Sequence, residues 1–326
     1  MSHEIEMVNG QAQMAYVGEV PWHGLGERVP ADLSPRQMME KAGCDWEVKK
    51  VPTYAAPADD DLIATGTSAL IRSTDNKVLA PSVGEGWNPV QNHEAFEFFN
   101  EYCMAGDMEM HTAGSLKCGQ MVWALAKVKE SFDILGGDQV DSYLLFSNPH
   151  EYGKSVDIRF TPIRVSCMNT LTMALKGRAV NGVKMNHRRV FDAEHVKTTM
   201  GLAHEKFGQF KEMSQFLSSR QFSMDNLIQY YNEVFPRTYE GKNPPVVKDV
   251  SDLTTNGQKA FELLETQPGA EFGRGTWWQA LNSVTYLTDH VMGREADSRM
   301  TSAWYGANQN RKIKAVDKAV EFATAA

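Results

Sequence analysis

The chain has 326 residues and a mass of 36.5 kDa, which suits one large domain or two ordinary ones. It carries 33 Lys and Arg against 41 Asp and Glu, a net charge of −8, with 42% hydrophobic and 23% charged residues. That composition excludes intrinsic disorder and a uniformly basic nucleic-acid coat protein, and no apolar run is long enough to predict a membrane span or a secretory signal.

In chain order, Pro21-Trp22-His23-Gly24-Leu25-Gly26 predicts turns. Ser34-Pro35 predicts a helix start, with Ser34 as N-cap and Gly43 beyond the end. Trp46-Glu47-Val48 reads as a strand, and 55–66, with Pro57 and three consecutive Asp, as an exposed loop. Strands are expected at 67–73 and 77–83 around the turn Ser73-Thr74-Asp75-Asn76. Asn92 is expected to cap a helix over 93–105, where Phe96, Phe99 and Cys103 repeat at 3 and 4. Strand patterns follow at 119–129, 141–147 and from Val156 to Val165, with Glu151-Tyr152-Gly153-Lys154 as a hairpin turn between the last two. Asn169 or Thr170 is then expected to start a helix.

After residue 192 the period becomes helical. Ala193, Val196, Met200, Ala203, Phe207, Phe210 and Leu217 form a heptad-like stripe. The plainer reading is a long helix packed in a helical hairpin; the sharper one is a homo-oligomer interface through helix 193–217. Further helices are expected at 223–234, 257–266, 276–292 and 310–324, with a Pro-containing loop over 236–252. The fold class is α+β: a mainly antiparallel sheet with short helices in the N-terminal half and a helical C-terminal half. The expected organisation is a sheet domain over 1–191 with a helical region over 192–326 packed on it.

The mean charge hides a segmentation. Residues 1–156 carry −12, residues 157–220 carry +6 and residues 221–326 carry −2. Between 158 and 191 stand Arg159, Arg164, Lys176, Arg178, Lys184, Arg188 and Arg189, and no acidic residue. Standard motifs do not account for this. There is no GxxxxGK[ST], HExxH or GxSxG, and Gly24-Leu25-Gly26 lacks the third glycine of a dinucleotide fingerprint. No cofactor is implied. His93 and Glu97 stand one turn apart, which more often marks a solvated face than a metal site. His195 and His204 fall on opposite helix faces, and no clustered Cys/His spacing predicts a metal. The four Cys, at 44, 103, 118 and 167, are far apart and suit a reducing cytoplasm.

Four constellations carry chemistry. In Phe160-Thr161-Pro162-Ile163-Arg164-Val165-Ser166-Cys167-Met168-Asn169-Thr170-Leu171 a strand is expected to feed a helix start. There Arg164, Asn169 and Thr170 would hold an anion. The same segment suits a plain Arg–carboxylate pair and a helix cap. It also suits a catalytic thiol at Cys167 with His187 as its base, although a buried inert Cys is commoner. Second, Lys184-Met185-Asn186-His187-Arg188-Arg189 could grip phosphates or form a solvated turn before the long helix. Third, Trp22-His23 could stack on a base or anchor the N-terminal arm. Fourth, the amides of Trp87-Asn88-Pro89-Val90-Gln91-Asn92-His93 suit capping or ligand hydrogen bonds.

With these segments on the page, the chain resembles a phage- and plasmid-borne family of uncharacterised proteins. The matching segments are Trp22 to Gly26, Trp87 to Asn92, Thr161 to Leu171, and the pattern Trp278, Asn282, Thr285, Asp289-His290, Trp304, Gly306 and Lys314. The resemblance implies a mobile-element setting and a bacterial host cytoplasm, and no established activity. One departure is that this chain has His187-Arg188 where the family pattern has a His-Thr pair.

Three functions fit these expectations. The first is a protein of phage DNA metabolism, of the single-strand binding or annealing type, using the basic stretch 159–189. The second is an enzyme acting on a nucleotide or phosphorylated substrate through Arg164, His187 and Cys167. The third is a host-interaction or anti-defence protein whose acidic N-terminal half meets a host partner. The first ranks slightly above the others.

Overall fold

The structure is a computed structural model. Described are residues 4–21, 24–57, 61–134, 137–164, 169–170, 182–188, 190–237, 246–293 and 299–325. The strands are β1 (Met7–Val8), β2 (Gln11–Ala12), β3 (Met14–Tyr16), β4 (Glu27–Arg28), β5 (Val48–Ala55), β6 (Ile63–Arg72), β7 (Val78–Gly84), β8 (Met108–Leu116), β9 (Met121–Asp133), β10 (Gln139–Pro149), β11 (Val156–Arg164), β12 (Asn169–Thr170) and β13 (Gly182–Met185). The helices are α1 (Pro35–Lys41), α2 (Asn92–Glu97), α3 (Asn100–Ala105), α4 (Ala193–Ser219), α5 (Met224–Val234), α6 (Thr255–Thr266), α7 (Trp277–Tyr286), α8 (Arg299–Tyr305) and α9 (Ala307–Ala325). The larger sheet has the order β12-β11-β10-β9-β8-β3-β4, with β13 also on β11; a second sheet has the order β5-β6-β7. β3 pairs with β8, β8 with β9, β11 with β12 and β13, β5 with β6 and β6 with β7 in antiparallel fashion, and β3 with β4 in parallel. The fold is the α+β arrangement that the alternating and 3.6-residue patterns indicate.

The chain forms two compact units. The first holds Met1–Lys129, Tyr143–Phe160 and Gly182–Leu202, and the second holds Glu130–Ser142, Thr161–Asn181 and Ala203–Ala326. In the first unit, Ser34 caps α1 as its sequence suggests. Its hydroxyl accepts from the Gln37 N–H while the Gln37 side chain accepts from the Ser34 N–H. Phe98, Phe99, Phe146 and Phe191 pack edge to face or tilted, with centroids 5.5–6.4 Å apart, an arrangement that adds to the burial of their large apolar surfaces. In the second unit, Trp277 stacks on Phe322 at 5.5 Å and meets Tyr230 edge-on. Tyr231 and Ser283 share a 2.7 Å hydroxyl hydrogen bond inside that helical core.

Several expectations are corrected. The loop expected at 55–66 is exposed at its described residues but shorter than expected, because β5 continues to Ala55 and β6 begins at Ile63. The helix expected over 93–105 is two short helices that break at Phe98-Phe99. Gln91, not Asn92, is the N-cap. Strand β8 occupies 108–116, where no strand is expected from the sequence. The helix expected to begin at Asn169 or Thr170 does not begin there. Those residues form β12 and pair with β11, with Ile163 opposite Thr170 and Arg164 opposite Asn169. Among the described residues, no helix is long and apolar enough to cross a membrane.

Candidate functional site

The segment between β7 and α2 is a strap tied to the rest of the first unit by hydrogen bonds at both ends. Gln91 exchanges both amide hydrogen bonds with the backbone of Val48, at 2.8 and 3.1 Å. Lys50 Nζ donates to the carbonyls of Glu85 and Trp87. Asn92 is fully buried, and its Nδ2 donates to the carbonyls of Cys44 and Trp46. With the Nδ2 protons engaged there, the Asn92 Oδ1 is the acceptor for its other neighbours. It takes His150 Nε2 at 3.0 Å and Asn148 Nδ2 at 3.4 Å. His150 is therefore the Nε2–H tautomer, and its Nδ1 has no hydrogen-bond partner among the described residues.

His187 is built in a matching way. Its ring lies on Trp87, with centroids 4.1 Å apart and planes at 14°. Its Nδ1 donates to the Asn88 carbonyl at 3.2 Å, and the Asn88 N–H donates back to the His187 carbonyl. Tyr152, on the hairpin between β10 and β11, stacks on the same indole at 6.4 Å and 29°. Tyr152 is 69% exposed whereas His187 is 2% exposed, so Trp87 couples a buried ring to a solvated one. Burial pushes His150 down to about 3, with the neighbouring His187 adding to the shift. Burial also holds His187 below the ordinary imidazole value, against the opposing pull of the Asn88 and Pro149 carbonyls. Both rings are neutral at pH 7.

Behind His150 the indole of Trp46 meets it edge-on at 5.4 Å, and the Arg72 guanidinium lies over Trp46 at 5.3 Å. Arg72 is buried. It donates to both Glu6 oxygens at 2.8 and 2.9 Å and to both Asp75 oxygens at 2.9 and 2.6 Å. Glu6 also accepts from Ser115 Oγ. This pairing holds Asp75 down at about 2.

Of the residues singled out in the sequence, Trp22, His23, Cys167 and Arg189 lie outside the described residues. Arg164, Asn169 and Thr170 are brought together by the β11–β12 pairing, within the second unit, on strands and without the helix start that the anion reading needs there. Lys184 lies on β13 opposite Asp157 and is exposed, and Arg188 is exposed beside the buried His187, all in the first unit.

A second polar centre, in the second unit, was only half visible in the sequence. Residues Leu287–Val291 make a π-helical turn continuing α7, a feature frequent at functional sites. Its Asp289 is 7% exposed and accepts at 2.7 Å from Lys312, which is 1% exposed on α9. Asn308 Nδ2 donates to the Thr288 carbonyl, and Arg299 donates to the carbonyls of His290 and Met292. Asp289-His290 belongs to the pattern quoted above, whereas Lys312 stands beside the apolar Ile313 on α9 with no local signal that marks it.

Among the described residues no group of three or more His, Cys, Asp or Glu is placed to hold a metal. No curated protein and no solved structure matches this chain. The family whose model does match, over residues 80–311, is described as a domain of unknown function (DUF932); its span takes in the strap, His150, His187 and the Asp289 turn, and the chain belongs to that family.

Proposed function

We infer that the chain binds single-stranded nucleic acid, or another phosphate-bearing ligand, in the DNA metabolism of a phage or related mobile element inside a bacterial host cytoplasm. The observation that carries this reading is the exposed Tyr152 ring stacked on Trp87, which is itself backed by the buried, neutral His187. A fixed, solvated aromatic face accepts any base, because every base has a π-face. Cations stand close by in the chain: Lys154 beside Tyr152 on the hairpin, and Lys184 and Arg188 flanking His187, all exposed. These would neutralise phosphates and make binding salt-dependent. The acidity of the rest of the first 156 residues then confines a polyanion to this region.

The enzymatic reading through Arg164, His187 and Cys167 draws less support. His187 is enclosed against Trp87, and its Nδ1 proton is engaged by the Asn88 carbonyl. Fluorescence anisotropy of a labelled oligothymidylate, with the wild type and Tyr152→Ala, tests the proposal. Tyr152→Ala is expected to weaken binding while leaving the fold intact.

A further inference from the structure

A cavity of about 570 Å³ opens in the second unit between the start of α6 and the π-helical turn Leu287–Val291. Small-molecule sites span roughly 300–1,000 Å³, so its size is that of a ligand site. The two walls differ in chemistry. Thr255, Asn256 and Lys259 of α6 form a polar wall, and Leu287, Val291 and Met292 form an apolar one. The polar wall is spare: none of its three side chains makes a hydrogen bond or an ion pair among the described residues. Helix α6 does not use them as its cap, because Thr254 Oγ1 takes the Gly257 N–H. The apolar wall is set by the π turn. Its wider winding sends Asp289 to Lys312 on α9 and keeps Leu287 and Val291 on the side of α6. Asn308 holds the Thr288 carbonyl, and Arg299 holds the carbonyls of His290 and Met292. The carbonyls that end the turn therefore meet a cation instead of repelling an anion. Val291 is 40% exposed, so the wall is reached from solvent.

We propose that this cavity binds a small organic monoanion, a carboxylate carried on a short apolar or aromatic body. Among the described residues no Asp or Glu lines it. The acids that precede α6 are turned to backbone: Asp252 accepts from the N–H groups of Lys248 and Asp249, and Asp249 accepts from that of Ser251. Lys259 supplies one positive charge as a point cation, which suits a single carboxylate and not a polyphosphate. The Asn256 amide and the Thr255 hydroxyl are donors for the carboxylate oxygens. The body of the ligand covers Val291 and Met292 and so removes apolar surface from water. The site lies wholly in the second unit and does not rest on the nucleic-acid reading.

The test is isothermal titration calorimetry of the full chain with phenylbutyrate and with its neutral counterpart phenylbutyramide, neither of which carries a base or a phosphate. The wild type is expected to bind the carboxylate with a Kd of about 1 mM or tighter and the amide about tenfold more weakly. Lys259→Gln is expected to bring the carboxylate down to the level of the amide and to leave the amide unchanged. Val291→Asp is expected to weaken both probes by about tenfold or more. Both positions are exposed, and urea midpoints report whether the variants keep the fold; Lys259→Gln alone decides if Val291→Asp lowers its midpoint. No binding of the carboxylate up to about 5 mM, equal affinity for carboxylate and amide, or a carboxylate affinity that Lys259→Gln leaves unchanged overturns the proposal. So does inorganic phosphate binding as tightly as the carboxylate, since the apolar wall would then contribute nothing.

Discussion

The imidazole of His187 lies flat on the indole of Trp87, 4.1 Å between centroids and 14° between planes, while its Nδ1 holds the carbonyl of Asn88. Two segments 99 residues apart are closed on each other by a stack and a pair of hydrogen bonds. Trp87→Ala removes the ring beneath both His187 and Tyr152. It is expected to lower stability by up to about 3 kcal/mol and to weaken oligonucleotide binding more than Tyr152→Ala does. Urea denaturation beside anisotropy checks both effects.

Stability is expected to fall on mild acidification. His150 and His187 are buried and neutral, so their folded pKa values lie below the unfolded value of about 6.5. As pH drops through that value the unfolded chain takes up protons that the folded chain refuses. His150, whose folded pKa is pushed down to about 3, then contributes a loss approaching about 1.4 kcal/mol per pH unit, and His187 adds a loss in the same direction. Urea midpoints measured from about pH 7 to pH 4 should fall, and His150→Gln should flatten that slope.

Breaking the Asp289–Lys312 pair is expected to be costly. Lys312→Ala leaves a carboxylate at 7% exposure without this cation and should destabilise by about 3–5 kcal/mol. The double variant Lys312→Met with Asp289→Leu should recover most of that loss, because both buried charges are then removed together. Chemical denaturation of the three proteins distinguishes the outcomes.

The thiols are expected to react in a fixed order. Cys44 is fully buried, and burial together with the nearby Glu6 and Asp45 pushes its thiol well above the ordinary range. Cys103 is pushed up to about 11, chiefly by burial. Cys118 is exposed. Among the three described thiols, iodoacetamide at neutral pH should modify Cys118 first and leave Cys44 unmodified until denaturant is added, as peptide mass spectrometry would show.

Legibility in the sequence follows the range of each interaction. The cap at Ser34 and the helix α4 rest on signals that lie within a few residues of one another. Strand β8 was missed because it is buried along most of its length, so Thr112, Ala113, Gly114 and Ser115 show no alternation. Asn169-Thr170 looked like a helix cap, but their pairing with Ile163 and Arg164 makes them a strand. Of the candidate site, the strap 87–92 and His187 were singled out as separate features. Nothing local joins them, nor links His150 to Asn92 across 58 residues or Arg72 to Glu6 across 66. Those links exist only once the sheet has assembled.

The central claim is tested most directly by anisotropy of a labelled oligothymidylate titrated with the wild type and Tyr152→Ala at about 50 mM and about 300 mM salt. The account predicts binding by the wild type at the lower salt, weaker binding at the higher, and a further loss of about 1–3 kcal/mol in Tyr152→Ala. No binding by the wild type at about 50 mM salt, or equal binding by both proteins, would contradict it.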